Sequence, residues 1–396
     1  MAKPIKNPVW GALASMKLTI ALLALLMVLV FLCTLAQVDL GTFGAVAVYM
    51  RSFLVWWHVP GTAYSIPLLP GGALVGLVLA INLVAQYLRI PFNRANIGLW
   101  LVHAGLILFV LGEFVSGAFQ VDSQMAIEEG QTVNYVEGKD LELAVVDVTD
   151  AVQDEVYGIN EARLARGGVV DLPGSPVSLK VHQFFRNAEL TNRRPEDPPT
   201  PVTMGVGTAV SVRPLPPVSR DDDMNRAAAF VEPVAGGRSY GVWLVSNVLG
   251  APQSFTHEGR TYVLSMRPRR QYLPYAITLK KFSHDVYAGT DIPKNFSSLV
   301  RLNNPSRGEQ RDVLIFMNQP LRYDGKAFYQ ASFGKNDTLS ILQVVENPGW
   351  LLPYISCALV TVGLLYHFGT RLRRSLKRRE AADAEASQRP AAAQEA

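Results

Sequence analysis

The stretch IGLWLVHAGLILFVLG at residues 97–112 decides the fold class, because it is apolar throughout except for one ionisable ring, His103. Extended past Glu113 to Phe119, it can cross a hydrocarbon core of about 30 Å at about 1.5 Å of helix rise per residue. Ionisable side chains inside membrane helices are rare and usually face a partner or a cavity. His103 is therefore a candidate functional residue, although a neutral histidine bonded to a neighbouring helix also fits the pattern.

Three further uncharged runs have spanning length, at residues 18–38, 71–88 and 350–369. The chain is 49% hydrophobic and only 18% charged, which is a low charge density for a soluble protein. The first run exceeds the apolar core of an ordinary signal peptide, and no small-residue cleavage site follows it, so we interpret it as an anchor. The sequence predicts a membrane protein with four transmembrane α-helices, three of them within residues 18–119.

Three groups of basic residues flank these runs on the same side. They lie in the N-terminal segment 1–17, between the second and third runs, and in RLRRSLKRR at 371–379. Because positively charged loops stay in the cytoplasm, we expect a multi-pass protein of the bacterial inner membrane with both termini cytoplasmic. The outer loop 39–70 and the large segment 120–348 then face the periplasm.

The extracytoplasmic segment 120–348, between the third and fourth helices, is predicted to be a β-rich domain. Strand-length runs such as LELAVVDVT and VSLKVHQFF recur between Gly, Pro and Asn, without a long helical period. We expect a sandwich or an irregular barrel. The Pro- and Arg-rich interval 187–240 is predicted to form insertions or mobile loops. After the fourth helix, at 349–370, the basic tail 371–396 is predicted to be disordered from residue 380 onward.

The cysteines exclude several classes of function. Cys33 and Cys357 both lie inside predicted helices, where a lone thiol is usually an apolar packing residue. The chain has no C-x-x-C-H motif, so it is not a c-type cytochrome. It also has no nucleotide, zinc or hydrolase motif, and no nucleic-acid partner is expected.

Two of the six histidines, His103 and His367, can be compared in depth. His103 lies about 9 Å from the cytoplasmic end of its helix, and His367 lies within about 5 Å of the same side. Neutral imidazoles are common axial ligands of haem iron, so both residues are candidate ligands of one haem. His367 also fits a position at the membrane interface, among the arginines that follow it.

The glycines of the third helix indicate which side of that helix packs against another helix. Gly98, Gly105 and Gly112 recur every seven residues and form a small-residue seam suited to close helix packing. His103 lies about 200° around the helix from Gly105, so it points to nearly the opposite side. This arrangement favours a haem ligand that is shared with another subunit.

The outer loop contains adjacent Trp56 and Trp57, followed by His58. Such rings collect in the headgroup layer of membranes. They are also suited to stacking on a flat ligand, and both interpretations stay open.

Several long motifs occur in a characteristic order. They are IPLLPGGALVGLVLAINLVAQYLR, GLWLVHAGLILFVLG, FSHDVYAGTDIPKNFSSLVRL, MNQPLRYDGKAFYQASF and VVENPGWLLPYISCALVTVGLLYHF. On these motifs, the chain resembles the ResB (CcsB) family of System II cytochrome c biogenesis. The resemblance covers most of the chain but not the interval 187–240.

The resemblance implies a subunit of a haem-delivery and cytochrome c synthesis complex. The bound or transported cofactor would be haem b, and His103 would be an axial ligand shared with a histidine of a ResC (CcsA)-like multispan partner. Apocytochrome c would receive the haem, and a thioredoxin-like thiol reductant is a further expected partner. Whether this chain shares the site of the holocytochrome c synthase (haem lyase) or is non-catalytic stays open. GTDIPKNFSS and FYQASF would belong to the core of the β-domain or to its docking surface.

Two other functions fit the same pattern. A membrane-anchored scaffold would grip a partner with its β-domain and hold no haem. A respiratory or transport subunit would use His103 to carry protons.

Overall fold

The computed structural model describes residues 8–58, 62, 64–151, 153–216, 225–251, 253–287, 289, 293–334 and 338–392. The chain divides into two compact units. The helical unit comprises Met1–Gln120 and Asn347–Ala396, and the β unit comprises Val121–Glu346.

The helices of the described residues are α1 (Pro8–Leu13), α2 (Met16–Tyr49), α3 (Gly72–Arg89), α4 (Ile97–Phe119), α5 (Glu161–Ala165) and α6 (Leu352–Ala392). The strands are β1 (Leu54–His58), β2 (Ser65–Pro70), β3 (Val121–Glu128), β4 (Thr132–Asp147), β5 (Glu155–Asn160), β6 (Gly168–Asp171), β7 (Val177–Phe185), β8 (Ala188–Asn192), β9 (Val210–Pro214), β10 (Ala228–Ala235), β11 (Arg238–Ser239), β12 (Trp243–Ser246), β13 (Gln253–His257), β14 (Arg260–Val286), β15 (Pro293–Asn304), β16 (Glu309–Phe316), β17 (Leu321–Tyr323), β18 (Lys326–Gly334) and β19 (Leu339–Glu346). Short 3₁₀ turns lie at Val206–Ala209 and Pro305–Arg307.

Four helices of the described chain, α2, α3, α4 and α6, are long and apolar enough to cross a membrane. They coincide with the four runs that the sequence predicts as spans. The fourth helix continues through Ala392, so the structure has helix where the composition predicts disorder from residue 380 onward. Alanine and glutamate dominate that stretch, and both are strong helix formers.

The predicted outer loop 39–70 contains regular structure. The helical path of α2 breaks at Gly41, whose φ of 69° and ψ of 170° are accessible mainly to glycine, and it resumes as far as Tyr49. Strands β1 and β2 then pair as an antiparallel hairpin that leads into α3. The loop is therefore a short helix followed by a hairpin.

A buried polar network joins α2 and α3 at the end where α1 meets α2. The Asn82 side chain is only 1% exposed, and its amide nitrogen donates to the carbonyl oxygens of Leu13, at 2.5 Å, and Ser15, at 3.2 Å. The hydroxyl of Thr19 and the amide of Gln86 both donate to the Asn82 side-chain oxygen, at 2.7 and 2.9 Å. Asn82 therefore fixes the elbow before α2 to the last turns of α3.

Replacing Asn82 by alanine is expected to lower the free energy of unfolding by about 1–3 kcal/mol, because it leaves buried donors and acceptors without partners. Leu88→Ala is the matched control on the same helix, since Leu88 is largely exposed. The two variants are compared by thermal unfolding in detergent. Equal midpoints would contradict this role of Asn82.

The β unit is built on two antiparallel sheets, which confirms the predicted β-rich region. The larger has the order β16-β15-β14-β4-β3-β19-β18-β17, with β13 added on β14 and β5 on β4. The smaller has the order β11-β10-β7-β6, with β12 added on β10. Strands β8 and β9 form a separate pair.

The long strands β4 and β14 contribute side chains to two separate hydrophobic cores. The first core is made of side chains from the larger sheet alone, such as Ile127, Ile277 and Phe328, so that sheet curls around its own interior as in a barrel. The second core, with Leu143 and Val231, combines residues of both sheets as in a sandwich. The β unit therefore contains both of the predicted arrangements, a barrel-like part and a sandwich-like part. The β4–β14 register shifts at Pro268–Arg270 and Tyr272–Ile277.

The interval 187–240 is a correction to the sequence prediction of insertions or mobile loops. It contains β10, a central strand of the smaller sheet that is buried along most of its length. The sequence prediction missed this strand because its apolar run AAFVEPVA stands among Pro- and Arg-rich segments, which are typical of loops. Residues 217–224 of the interval lie outside the described residues.

The motifs FYQASF and GTDIPKNFSS contribute buried residues to the β unit where the structure describes them. Phe328 of FYQASF is fully buried, and Ser298 of GTDIPKNFSS is buried and hydrogen-bonded to Ser340 at 2.7 Å. Residues 290–292 of the second motif lie outside the described residues.

Asp312 is expected to stabilise the β unit at neutral pH and to lose this effect in acid. Arg301 and Lys280 each donate to its carboxylate at 2.8 Å and lower its pKa from 3.8 to about 2. A depressed folded-state pKa stabilises the protein above the unfolded-state pKa, and this contribution is lost as the pH falls through about 2. Asp312→Asn should therefore lower the unfolding midpoint at neutral pH, and the difference from wild type should disappear near pH 2. A difference that does not change with pH would contradict the assignment.

Candidate functional site

Helices α4 and α6 pack closely along the glycine seam. A Cβ atom on Gly105 would lie 2.7 Å from Val360 Cγ2, and one on Gly98 would lie 2.7 Å from the Gly363 carbonyl oxygen. The Ser356 hydroxyl donates to the Gly105 carbonyl at 2.6 Å. The predicted seam is confirmed, and it packs against a helix of the same chain.

His103 lies on the other side of α4. Its direction is about 140° from Gly98 and about 160° from Gly105 around the helix. Val110 and Phe114, which follow it on the same side, are 43% and 70% exposed. His103 itself is half-buried, and the described residues leave its face of α4 uncovered farther along the helix, at Val110 and Phe114.

A backbone hydrogen bond fixes the tautomer of His103. Its Nδ1 lies 2.9 Å from the Leu99 carbonyl oxygen, one turn earlier in α4. A carbonyl oxygen can only accept, so Nδ1 carries the proton, and the Nε2 of the neutral ring keeps its lone pair. Metal-bound histidines typically donate their other ring N–H to a carbonyl or carboxylate in this way. The donor set of His103 therefore fits an axial ligand of haem iron.

An aromatic cluster lies beside His103 at the N-terminal end of α4. The Trp100 ring contacts Tyr87 of α3 edge to face at a centroid distance of 4.4 Å, and it contacts Phe92 at 5.2 Å. The Trp100 indole N–H donates to the Ile90 carbonyl at 3.1 Å. Trp100 lies about 60° around the helix from His103 and about 4.5 Å nearer the end of α4. The cluster bounds the histidine-bearing face on one side.

Sequence reasoning missed this cluster. The signal was present as Trp100, placed three residues before His103, and Tyr87, placed near the end of α3. Their contact depends on the path of the short loop between the two helices, which the hydrophobic pattern does not define.

His367 lies on the face of α6 that packs against α4. A Cβ atom on Gly98 would lie 2.7 Å from His367 Cβ. The Nδ1 atom of His367 is buried and makes no hydrogen bond to the described residues. His103 and His367 therefore lie on different sides of α4, and the structure does not bring them to a common face. A haem-ligand role for His367 stays a prediction.

The histidines of the β unit have other partners. His182 Nε2 lies 2.7 Å from a carboxylate oxygen of Glu232, and His257 Nδ1 shares a hydrogen bond of 2.7 Å with the Tyr240 hydroxyl. Hydrogen bonds from Ser239 and His182 hold the pKa of Glu232 below its usual value. Among the described residues, no group of three or more His, Cys, Asp or Glu side chains is placed to hold a metal ion.

Comparison with known proteins supports the resemblance inferred from the motifs. Residues 253–341, which run from β13 into β19, match the model of the ResB-like family. The chain is also similar to Protein NrfI of Wolinella succinogenes, at 34% identity over 104 residues. That alignment covers 26% of this chain and 12% of the length of the relative. The predicted resemblance to the ResB family is therefore confirmed, and the chain is ResB-like over residues 253–341.

Proposed function

We propose that the chain is a subunit of a cytochrome c biogenesis complex that delivers haem b to apocytochrome c. The observation that carries the haem assignment is His103, a half-buried ionisable ring whose Nδ1–H is bonded to Leu99 and whose Nε2 is available as a ligand. The family match in the β unit supports the assignment to cytochrome c biogenesis.

The topology proposed for this function has four spans in the bacterial inner membrane. Arg89 ends α3 and Arg94 lies in the loop before α4, and both would face the cytoplasm together with the basic segment 371–379 in the second half of α6. The β unit would then be periplasmic, in the compartment where apocytochrome c receives its haem. Docking of the apocytochrome is proposed for this unit.

A ResC-like multispan partner would supply the second axial ligand. His367 packs within the α4–α6 pair, whereas the His103 face is apolar and uncovered, so the opposite histidine would come from outside the described chain. A helix of the partner would cover Val110 and Phe114. Trp100 and Tyr87 would exclude water from the inner edge of the site.

Bound haem would supply the vinyl groups to which the two cysteine thiols of the apocytochrome add as thioethers. The residues of this chain perform other tasks: His103 binds and orients the group, and Leu99 holds the required tautomer. A thioredoxin-like protein would keep the apocytochrome thiols reduced.

Deletion of the gene, with and without complementation, tests this function. We expect covalently bound haem in c-type cytochromes to disappear from denaturing gels, while the b-type haem spectrum of the membranes is retained. Retention of b-type haem excludes a general shortage of haem. Normal c-type cytochromes in the deletion strain would contradict the proposal and favour a haem-free scaffold.

A further inference from the structure

The hairpin β1–β2 and helix α3 share one uncharged stretch of sequence. No Asp, Glu, Lys or Arg occurs between Arg51 and Arg89. The hairpin leads into α3 at the helix end opposite Arg89. Its position is therefore continuous with the apolar surface of a candidate membrane span.

The hairpin is anchored to the middle of α2 and to the start of α3. Val55 of β1 is buried in a cluster with Leu29 of α2 and Val75 of α3. The Gly71 N–H donates to the Phe53 carbonyl at 2.9 Å, and a Cβ atom on Gly72 would lie 2.7 Å from the Met50 carbonyl oxygen. The base of the hairpin thus has little freedom to move away from the helices.

Large apolar side chains cover the exposed part of the hairpin. Trp56 and Trp57 are 51% and 49% exposed, and Tyr64, Ile66 and Leu68 are also exposed. Apolar surface left in water is unfavourable, so a patch of this kind marks an interaction site.

We propose that this hairpin lies in the headgroup layer of the outer membrane leaflet and that phospholipid covers it. The inference rests on the membrane insertion included in the proposed function. Tryptophan and tyrosine are the residues that collect at this depth, where one edge of the ring is wet and the other apolar. Protein-binding surfaces normally carry a polar rim, whereas this hairpin has no charged residue. Trp350 and Tyr354, whose rings contact edge to face at a centroid distance of 6.2 Å, lie at the start of α6, the end that would face the periplasm in the proposed topology.

Depth-dependent fluorescence quenching tests the proposal. The full-length protein and the variant Trp56→Phe/Trp57→Phe are reconstituted into phosphatidylcholine–phosphatidylglycerol vesicles. The lipids are brominated either near the headgroup or near the chain ends, and iodide is the aqueous quencher. We expect the emission removed by the double substitution to be quenched more by the shallow bromine than by the deep bromine, and to be protected from iodide. The emission removed by Trp350→Phe is the positive comparison.

Two other results would overturn the proposal. Emission that iodide quenches and bromine does not would place the hairpin in water. Emission insensitive to both quenchers would show that protein covers it. Resistance of the protein to alkaline carbonate extraction is measured in parallel, because release by carbonate would refute membrane insertion itself and with it the proposed function. If the protein resists carbonate extraction but iodide quenches the tryptophans of the hairpin, only this inference is refuted.

Discussion

Replacing His103 by alanine is expected to lower covalent haem in c-type cytochromes by at least about tenfold, because disturbing even the second shell of a metal site costs 10–100-fold in affinity. The amount of the protein in membranes should not change, since the ring is only half-buried and its hydrogen bond among the described residues is made to Leu99 of its own helix. Haem staining of denaturing gels measures the first quantity, and immunoblotting of washed membranes measures the second.

The controls for His103 are two other histidines of the helical unit. His58→Ala changes a histidine of strand β1, outside the proposed haem site, and should leave cytochrome maturation unchanged. His367→Ala should also preserve maturation, because the second ligand is assigned to the partner. Loss of maturation in His367→Ala at a normal protein level would instead place the second ligand on this chain. Normal maturation in His103→Ala would contradict the haem-ligand role.

Replacing Gly105 by leucine is expected to destabilise the α4–α6 pair by about 3 kcal/mol or more, at the upper end of the range for overpacked cores. The new side chain would start 2.7 Å from Val360 Cγ2 and 2.9 Å from the Ser356 carbonyl oxygen, and backbone atoms cannot move aside locally. Separating the helices would also break the hydrogen bond from Ser356 to the Gly105 carbonyl. Thermal unfolding in detergent, followed by helical circular dichroism, measures the effect.

Gly117→Leu is the matched control for this prediction. Gly117 lies on the same helix, and a Cβ atom there would meet no atom within 4 Å. Its replacement should leave the unfolding midpoint unchanged or raise it slightly, because leucine favours helix over glycine by up to about 1 kcal/mol. Equal destabilisation by the two substitutions would mean that the seam does not hold the pair together.

The long helices were predictable because their signal is local. An uncharged run of about twenty residues has few alternatives to a helix of spanning length, and α3 and α4 begin and end close to the predicted runs. The helical period also gave the seam from Gly98 to Gly112 and placed His103 opposite to it. These conclusions follow from the sequence of each helix alone and need no information about its neighbours.

The rest of the fold depends on contacts between distant segments. Pro268 and Pro274 look like strand breaks, yet β14 runs through both because register shifts absorb them. Strand β10 was missed because its pairing is not a local signal. Its partner β7 lies more than forty residues earlier in the chain, and its other partner, β12, is only a short strand. The aromatic cluster at Trp100 likewise depends on contacts between α4, α3 and the loop that joins them.

The visible spectrum of the purified protein, with and without its ResC-like partner, tests the central claim most directly. The wild-type complex should show the reduced spectrum of a bis-histidine haem, and the complex with His103→Ala should lack it. An intact complex without haem, or a haem spectrum unchanged by His103→Ala, would contradict the assignment of His103 as the haem ligand of this chain.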